Sequence, residues 1–167
     1  MVDPYKLKRR IEEIKKILEL ENDNVQIGII PEEYCDVEPY CNYKAVYQKD
    51  NNAIFIHPNS FLNHSFLEMT AFVAHELYHA YQYKNEPSLY VTQINQNYQD
   101  VGLDYIKQPL EMQAYAFQTA ITMLYEDVYA KFELEDVDAD TLDEINDLAE
   151  EYYLKYKEKF NEVVYTQ

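Results

Sequence analysis

The feature that most constrains this chain is a pair of histidines in the stretch AFVAHELYHAYQ, residues 71–82. His75 and His79 are four residues apart, so on an α-helix their side chains lie on one face, about one turn apart. Neither proline nor glycine interrupts the stretch, and apart from Glu76 the residues around the two histidines are uncharged. The stretch therefore predicts a continuous, buried helix whose two imidazoles can bind a single metal ion without bending the backbone.

A glutamate, Glu76, stands directly after the first histidine. One position round the helix, its carboxylate is expected to reach water on the ion rather than the ion itself. This H-E-x-x-H arrangement is typical of zinc peptidases, in which the glutamate is the general base that takes a proton from that water. The chain has 4 histidines, so a chance occurrence of this spacing is the less favoured alternative. The predicted cofactor is Zn²⁺, although other divalent ions can occupy such sites.

A catalytic zinc site usually has three protein ligands, and Glu111 is the candidate for the third. Pro109 is placed as the first residue of a second helix, and Glu111 falls in its first turn. Without the histidines, Glu111 would be read as an ordinary first-turn carboxylate that interacts with the helix dipole. The competing candidates are His57 and His64, each expected in a loop or at the end of a strand, where a surface or turn role is favoured.

Two stretches, FVAHELYHAYQ and PLEMQAYAFQTAITML, resemble the gluzincin type of metallopeptidase. The compact ImmA/IrrE-like peptidases have the most similar pattern, an HExxH helix followed by a glutamate helix. The resemblance implies a single zincin-like metallopeptidase domain over 1–167, with cleavage of a phage- or stress-related regulator as its activity. In that domain the metal ligands would be His75, His79 and Glu111, and the catalytic base would be Glu76.

Length and composition favour one domain. The chain has 167 residues, of which 47% are hydrophobic, so it can bury a sizeable core. With 2 glycines and 6 prolines, no flexible linker is expected. No apolar run has membrane-spanning length, and the beginning, MVDPYKLKRR, lacks the apolar segment of a signal peptide. The expectation is a cytoplasmic protein with no membrane partner, whose Cys35 and Cys41 are free thiols.

Charge limits the expected partners. The formal net charge is −17, from 31 acidic and 14 basic residues. Such a field repels phosphate, so no nucleic acid is expected as a partner. The acidic residues are dense in 126–151, which predicts a solvated face or, as the sharper hypothesis, a preference for basic substrates or partners. A protein or peptide substrate is predicted, and the sequence leaves the oligomeric state open.

Periodicity places the first elements. Apolar residues at helical spacing predict a helix over 4–21, and alternation predicts a strand over 25–30. A hairpin is expected between 43 and 57, with its turn at 49–52. By the resemblance, part of this hairpin is a candidate edge that aligns an extended substrate, whereas the equal alternative is a hairpin that only covers the core.

The second half of the chain is predicted to be mainly helical. The helix with the histidines is placed at about 66–84, with Ser65 or Asn63 as its N-cap. A polar segment over 85–107 is a candidate lid or specificity loop, with a short helix as the equal alternative. Two further helices are predicted, one at 109–130 and one that starts at Asp140 or Thr141.

These patterns predict an α+β fold with a small, mostly antiparallel sheet and about four helices. The predicted function is that of a zinc metallopeptidase. Two alternatives stay open: a non-catalytic zincin-fold interaction module that uses its acidic surface, and a zinc hydrolase of a non-peptide amide or ester. The intact Glu76 disfavours the module, since a site without catalysis needs no base. Candidate transition-state donors are Tyr90, Tyr98 and Tyr105, and Tyr115 is a candidate orienting residue for which core packing is favoured.

Overall fold

The computed structural model describes residues 1–88, 105–127 and 137–166. The described residues form five α-helices and three β-strands. The helices and strands belong to an α+β fold, as predicted. Two compact units make up the chain, Met1–Ala80 and Tyr81–Gln167. The single domain expected over the whole chain stays a prediction.

The first unit begins with helix α1 (Pro4–Ile17). The carboxylate of Asp3 accepts a hydrogen bond from the Tyr5 amide at 2.9 Å and caps the helix. The predicted apolar stripe is buried along its whole length, in Leu7, Ile11, Ile14, Ile17 and Leu18. Burial of this stripe explains why the helix forms where the periodicity predicts it.

Helix α1 ends four residues before the predicted end at 21. Glu19 adopts a left-handed conformation with φ of 57°, and the Leu20 amide donates to the Lys15 carbonyl at 2.7 Å. This is a Schellman-type helix end, which usually has glycine at the left-handed position. Because a glutamate occupies that position, the sequence carries no clear stop signal. The turn directs Leu20 into the core, where its side chain is fully buried.

Three strands form one mixed sheet in the order β1–β3–β2; they are β1 (Gln26–Ile29), β2 (Ala45–Gln48) and β3 (Ala53–Ile56). Strands β2 and β3 form the predicted hairpin, with Ala45 opposite Ile56 in antiparallel register. Strand β1 pairs with β3 in parallel, with Gln26 opposite Ala53. The sheet therefore has one parallel and one antiparallel pairing instead of being mostly antiparallel.

Asn52 joins the hairpin to the loop before β1. It adopts a left-handed conformation with φ of 46° after the short 3₁₀ turn Lys49–Asn51. Its side-chain amide donates to the Asp23 carbonyl at 2.6 Å, and its own carbonyl accepts from the Gln26 amide at 3.0 Å. The Tyr47 hydroxyl donates to Asn52 Oδ1 at 3.1 Å. One turn residue thus contacts three separate segments of the first unit.

Helix α2 (Ser60–Asn63) precedes helix α3 (Phe66–Asn85). A capping box starts α3: the Glu68 amide donates to Ser65 Oγ at 3.2 Å, and the Ser65 amide donates to Glu68 Oε2 at 2.7 Å. The bond from the Ser65 amide is also the main reason that the pKa of Glu68 lies below its usual range. Of the two predicted caps, Ser65 is the one that caps α3, which ends within one residue of the predicted position.

The second unit contains the last turn of α3, helix α4 (Pro109–Glu126) and helix α5 (Ala139–Tyr165). Helices α4 and α5 pack against each other. A cluster of fully or almost fully buried side chains lies in this unit, Ala116, Ile145 and Ala149. The Phe117 and Tyr156 rings pack edge to face, with centroids 5.3 Å apart. Apolar side chains of α5 are therefore used for core packing.

Both helices of this unit differ from their predicted bounds at one end. Helix α4 ends at Glu126 because Asp127 adopts a left-handed conformation with φ of 52°. Helix α5 begins before the predicted starts at Asp140 or Thr141. The cap is Asp138, whose Oδ1 accepts from the Thr141 amide at 2.9 Å. The capping carboxylate thus lies two or three residues before the predicted starts. It accepts from a first-turn amide that has no partner within the helix.

Three further expectations concern the cysteines, membrane-spanning helices and the candidate lid. Cys35 and Cys41 are free thiols, as predicted. Within the described ranges, no helix is both long enough and apolar enough to cross a membrane. Most of the candidate lid at 85–107, namely 89–104, lies outside the described residues, so the lid stays a prediction.

Candidate metal centre

Helix α3 brings the two motif histidines together on one buried face. The side chains of His75 and His79 are 7% and 8% exposed. Their Nε2 atoms are 3.1 Å apart, and the rings meet edge to face. Two nitrogen ligands of one tetrahedral zinc ion are separated by about 3.3 Å when each Zn–N bond is about 2.05 Å long. The two imidazoles are thus arranged like a pair of ligands to one ion.

Glu111 completes a group of three candidate ligands. It lies in the first turn of α4, whose first helical residue is Pro109, as predicted; the N-cap residue is Gln108. Its side chain is 7% exposed. One ligand atom each from His75, His79 and Glu111 lies within 4.8 Å of the other two. This buried group can hold a metal ion.

The donor set fits a zinc ion. Two imidazole nitrogens and one carboxylate oxygen are the protein ligands of a common class of catalytic zinc sites, with the fourth position left for water or substrate. An all-oxygen set would instead favour magnesium, calcium or manganese. The same two-histidine, one-carboxylate set can also bind other divalent metals, such as iron(II).

Glu76 is held by the edge strand of the sheet. Its side chain is half-buried, and its Oε2 accepts a hydrogen bond from the Tyr47 main-chain amide at 2.7 Å. Because Glu76 is one residue after His75, it points about 100° away from that ligand around the helix. Strand β2 therefore orients the Glu76 carboxylate, whereas the two histidine side chains are part of the candidate metal-binding group.

The register of the hairpin explains why the Tyr47 amide is available to Glu76. The His57 amide donates to the Lys44 carbonyl at 3.0 Å, which makes these two residues a hydrogen-bonded pair. Such pairs alternate along an antiparallel ladder, and Tyr47 lies opposite Ile54 in a non-hydrogen-bonded pair. Its amide thus faces away from β3. Sequence reasoning missed this donor, and a backbone group carries no residue-type signal by which to find it.

The two competing histidines have other contacts. His57 is 7% exposed; its Nδ1 accepts from the Asn59 amide at 3.2 Å, and its Nε2 lies 3.2 Å from the Cys35 carbonyl. These partners assign the ring proton to Nε2. His64 is 3.5 Å from the Glu68 carboxylate. Among the described residues, neither histidine belongs to the group that can hold a metal.

Two of the candidate tyrosines, Tyr105 and Tyr115, lie among the described residues. Tyr115 packs against the Ala116, Ile145 and Ala149 cluster, which agrees with the favoured packing role. Tyr105 is 49% exposed. The remaining two candidates, Tyr90 and Tyr98, lie outside the described residues, so their role stays a prediction.

Comparisons of this chain with protein-family models, with curated proteins and with solved structures give no match. The functional conclusion therefore depends on the residues of the site and on their geometry. Those are the buried group of three ligands and the half-buried glutamate beside it.

Proposed function

We propose that this chain is a zinc-dependent metallopeptidase that hydrolyses a peptide bond in a protein or peptide substrate. The observation that carries the proposal is the convergence of His75, His79 and Glu111 within 4.8 Å, next to a glutamate whose orientation is set by the Tyr47 amide. A metal ligand set alone supports metal binding. The added base supports hydrolysis.

The roles of the residues follow from their chemistry. When bound, a zinc ion supplies Lewis acidity that polarises the scissile carbonyl and makes a coordinated water more acidic. His75, His79 and Glu111 would hold the ion at a buried position, where electrostatic interactions are stronger than in water. Glu76 takes the proton from the attacking water and delivers it to the leaving amine.

The edge of the sheet is suited to align an extended substrate. Strand β2 lies at one edge in the order β1–β3–β2. The hydrogen-bonding pattern turns the main-chain groups of Ala45 and the Tyr47 carbonyl away from β3, whereas the Tyr47 amide is already bonded to Glu76. A peptide that adds to such an edge is held by its own main chain, so binding needs little side-chain specificity. Because Glu76 contacts this same edge, a peptide aligned there would have its carbonyl groups near the base.

The expected partners and location are part of the proposal. A cytoplasmic protein or peptide is the proposed substrate, and the net charge of −17 favours basic partners over nucleic acid. Cleavage of a regulatory protein would agree with the resemblance to the ImmA/IrrE-like peptidases. The oligomeric state is left open.

The first experiment measures metal content. Elemental analysis of the untagged protein is expected to find about one zinc per chain, and His75→Ala and Glu111→Ala are expected to bind zinc less tightly. Peptide libraries are then incubated with the zinc protein and with Glu76→Gln as the inactive control, and new termini are identified by mass spectrometry.

The results separate the proposal from its alternatives. No bound metal and no thermal stabilisation by added zinc would contradict the metallopeptidase and leave the acidic interaction module. Bound zinc with Glu76-dependent cleavage of esters or small amides, but of no peptide, would favour the non-peptide hydrolase. Zinc that is lost in His75→Ala but kept in Glu111→Ala would show that another residue is the third ligand.

A further inference from the structure

Gln82 is a buried polar residue in the last turn of α3 that no sequence motif distinguishes. Its side chain is 2% exposed. The side-chain amide nitrogen donates to the Leu110 main-chain oxygen at 3.0 Å and to Gln113 Oε1, also at 3.0 Å. Both hydrogens of this nitrogen are therefore used in buried or part-buried hydrogen bonds.

The two acceptors lie on either side of the third metal ligand. Leu110 directly precedes Glu111, and Gln113 follows it by two residues, at the start of α4. A movement of this first part of α4 along or around its axis would lengthen at least one of the two bonds. Gln82 therefore restrains the backbone that carries Glu111.

The same glutamine lies on the helix that carries the histidines. Helix α3 is continuous from Phe66 to Asn85. Gln82 follows His79 by three residues, which is about 4.5 Å along the helix axis. Gln82 thus belongs to the helix that carries the histidines and is bonded to residues on both sides of Glu111.

We propose that Gln82 is a positioning residue that holds Glu111 in place for metal binding. This inference rests on the proposed function, because it requires that the three ligands bind a metal. Its physical basis is that removing the amide would leave the buried Leu110 carbonyl and Gln113 side chain without this partner and free the start of α4 to shift. Mutation of a group that orients a metal ligand typically lowers metal affinity by about 10- to 100-fold.

The test compares zinc affinities. Gln82→Met has a side chain of similar length without a hydrogen-bond donor, and zinc affinity is measured by competition with a chromophoric chelator. The variant is expected to bind zinc at least about 10-fold more weakly than the wild type. Gln118→Met is the matched control: Gln118 is a second buried glutamine, seven residues after Glu111 on the same helix, and this variant is expected to retain the wild-type affinity.

A double substitution distinguishes positioning from general packing. If Gln82 acts through Glu111, then Gln82→Met should change zinc affinity by less than about twofold in a Glu111→Ala background, because no third ligand is left to position. A residue that only stabilises the fold would have the same effect on affinity in both backgrounds. The non-additivity is thus a signature of positioning.

Several results would overturn the inference that Gln82 positions Glu111. Wild-type affinity in folded Gln82→Met, or an equal loss in both backgrounds, would overturn the inference. If Gln82→Met does not fold, Gln113→Leu keeps the bond to the Leu110 carbonyl and is expected to weaken zinc binding by about two- to fivefold; an unchanged affinity would again overturn the inference. A wild-type protein that binds no zinc overturns both proposals, whereas zinc bound through His75 and Glu111 with no dependence on Gln82 overturns this one alone.

Discussion

The main-chain amide of Tyr47 and the carboxylate of Glu76 are joined by a hydrogen bond of 2.7 Å. The donor belongs to the backbone of edge strand β2, so it is present with any residue other than proline at position 47. A charge-assisted bond of this kind is stronger than one between neutral groups. The orientation of the proposed base is therefore determined by the pairing of the hairpin.

The first prediction concerns Glu76→Gln. The amide oxygen of glutamine can still accept from Tyr47, so the fold and zinc binding should be kept. Loss of the base should lower kcat by about 10²- to 10⁴-fold. Zinc content and peptide cleavage are measured on the same preparation. Cleavage that continues at the wild-type rate in the zinc-loaded variant would exclude Glu76 as the base.

The second prediction concerns zinc-dependent stability. At a zinc concentration about 100 times Kd, binding stabilises the folded protein by about 2.7 kcal/mol, which raises Tm by about 5–10 °C for a chain of this size. His79→Ala and Glu111→Ala should lose most of this shift, and His64→Ala, the matched control outside the ligand group, should keep it. Differential scanning fluorimetry with and without zinc measures the shifts. Equal shifts in all variants would place the zinc elsewhere.

The third prediction concerns Asp138 at the start of α5. Its pKa is lowered to about 2, mainly by the Thr141 amide and then by Lys107, whose Nζ is 3.0 Å from Oδ2. Because the folded pKa lies below the ordinary value of 3.8, the stabilisation is present above pH 3.8 and is lost as the pH falls toward 2. Asp138→Ala should therefore lower Tm at neutral pH, and the difference from wild type should shrink over that acidic range.

The control for this prediction is Asp138→Asn. Asparagine caps helices about as well as aspartate but carries no charge for Lys107. It should lose less stability than Asp138→Ala at neutral pH. Thermal unfolding followed by circular dichroism between pH 2 and pH 7 gives both comparisons. A difference between wild type and Asp138→Ala that does not change with pH would show that the carboxylate charge contributes nothing.

The fourth prediction concerns the beginning of the histidine helix. Ser65→Ala removes the cap of α3 and should cost about 1 kcal/mol, which lowers Tm by about 2–4 °C. Asn63→Ala is the control, because Asn63 was the other predicted cap and is exposed; its Tm should stay within about 1 °C of wild type, as for most surface changes. If both substitutions have the same effect, the capping box does not stabilise α3.

Much of the fold could be predicted from local patterns. The stripe of α1, the hairpin and the limits of α3 follow from periodicity, turn residues and a capping serine, and each is a property of a short segment. The pairing of β1 with β3 could not be predicted, because a parallel partner is chosen by contacts far away in sequence. The end of α1 was also missed, since Glu19 takes a conformation that usually requires glycine.

The candidate site was predictable where its residues form a motif. His75, Glu76 and His79 have a spacing whose meaning is geometric, and Glu111 follows a proline that marks a helix start. Gln82 and the Tyr47 amide could not be found in this way. A single glutamine in a helix belongs to no spacing pattern, and every residue except proline has a main-chain donor. The tertiary contacts alone distinguish these two groups.

The mixed pairing of the sheet has a consequence for the order of folding. Strands β2 and β3 are joined by a short turn, and hairpins of this kind form in about 1–10 μs. Strand β1 must instead close a long loop before it can pair in parallel with β3, which is slower. Pulse-labelled hydrogen exchange on the Phe55 and Gly28 amides would order the two events. We expect the strand that orients Glu76 to be in place while the opposite edge of the sheet is still open.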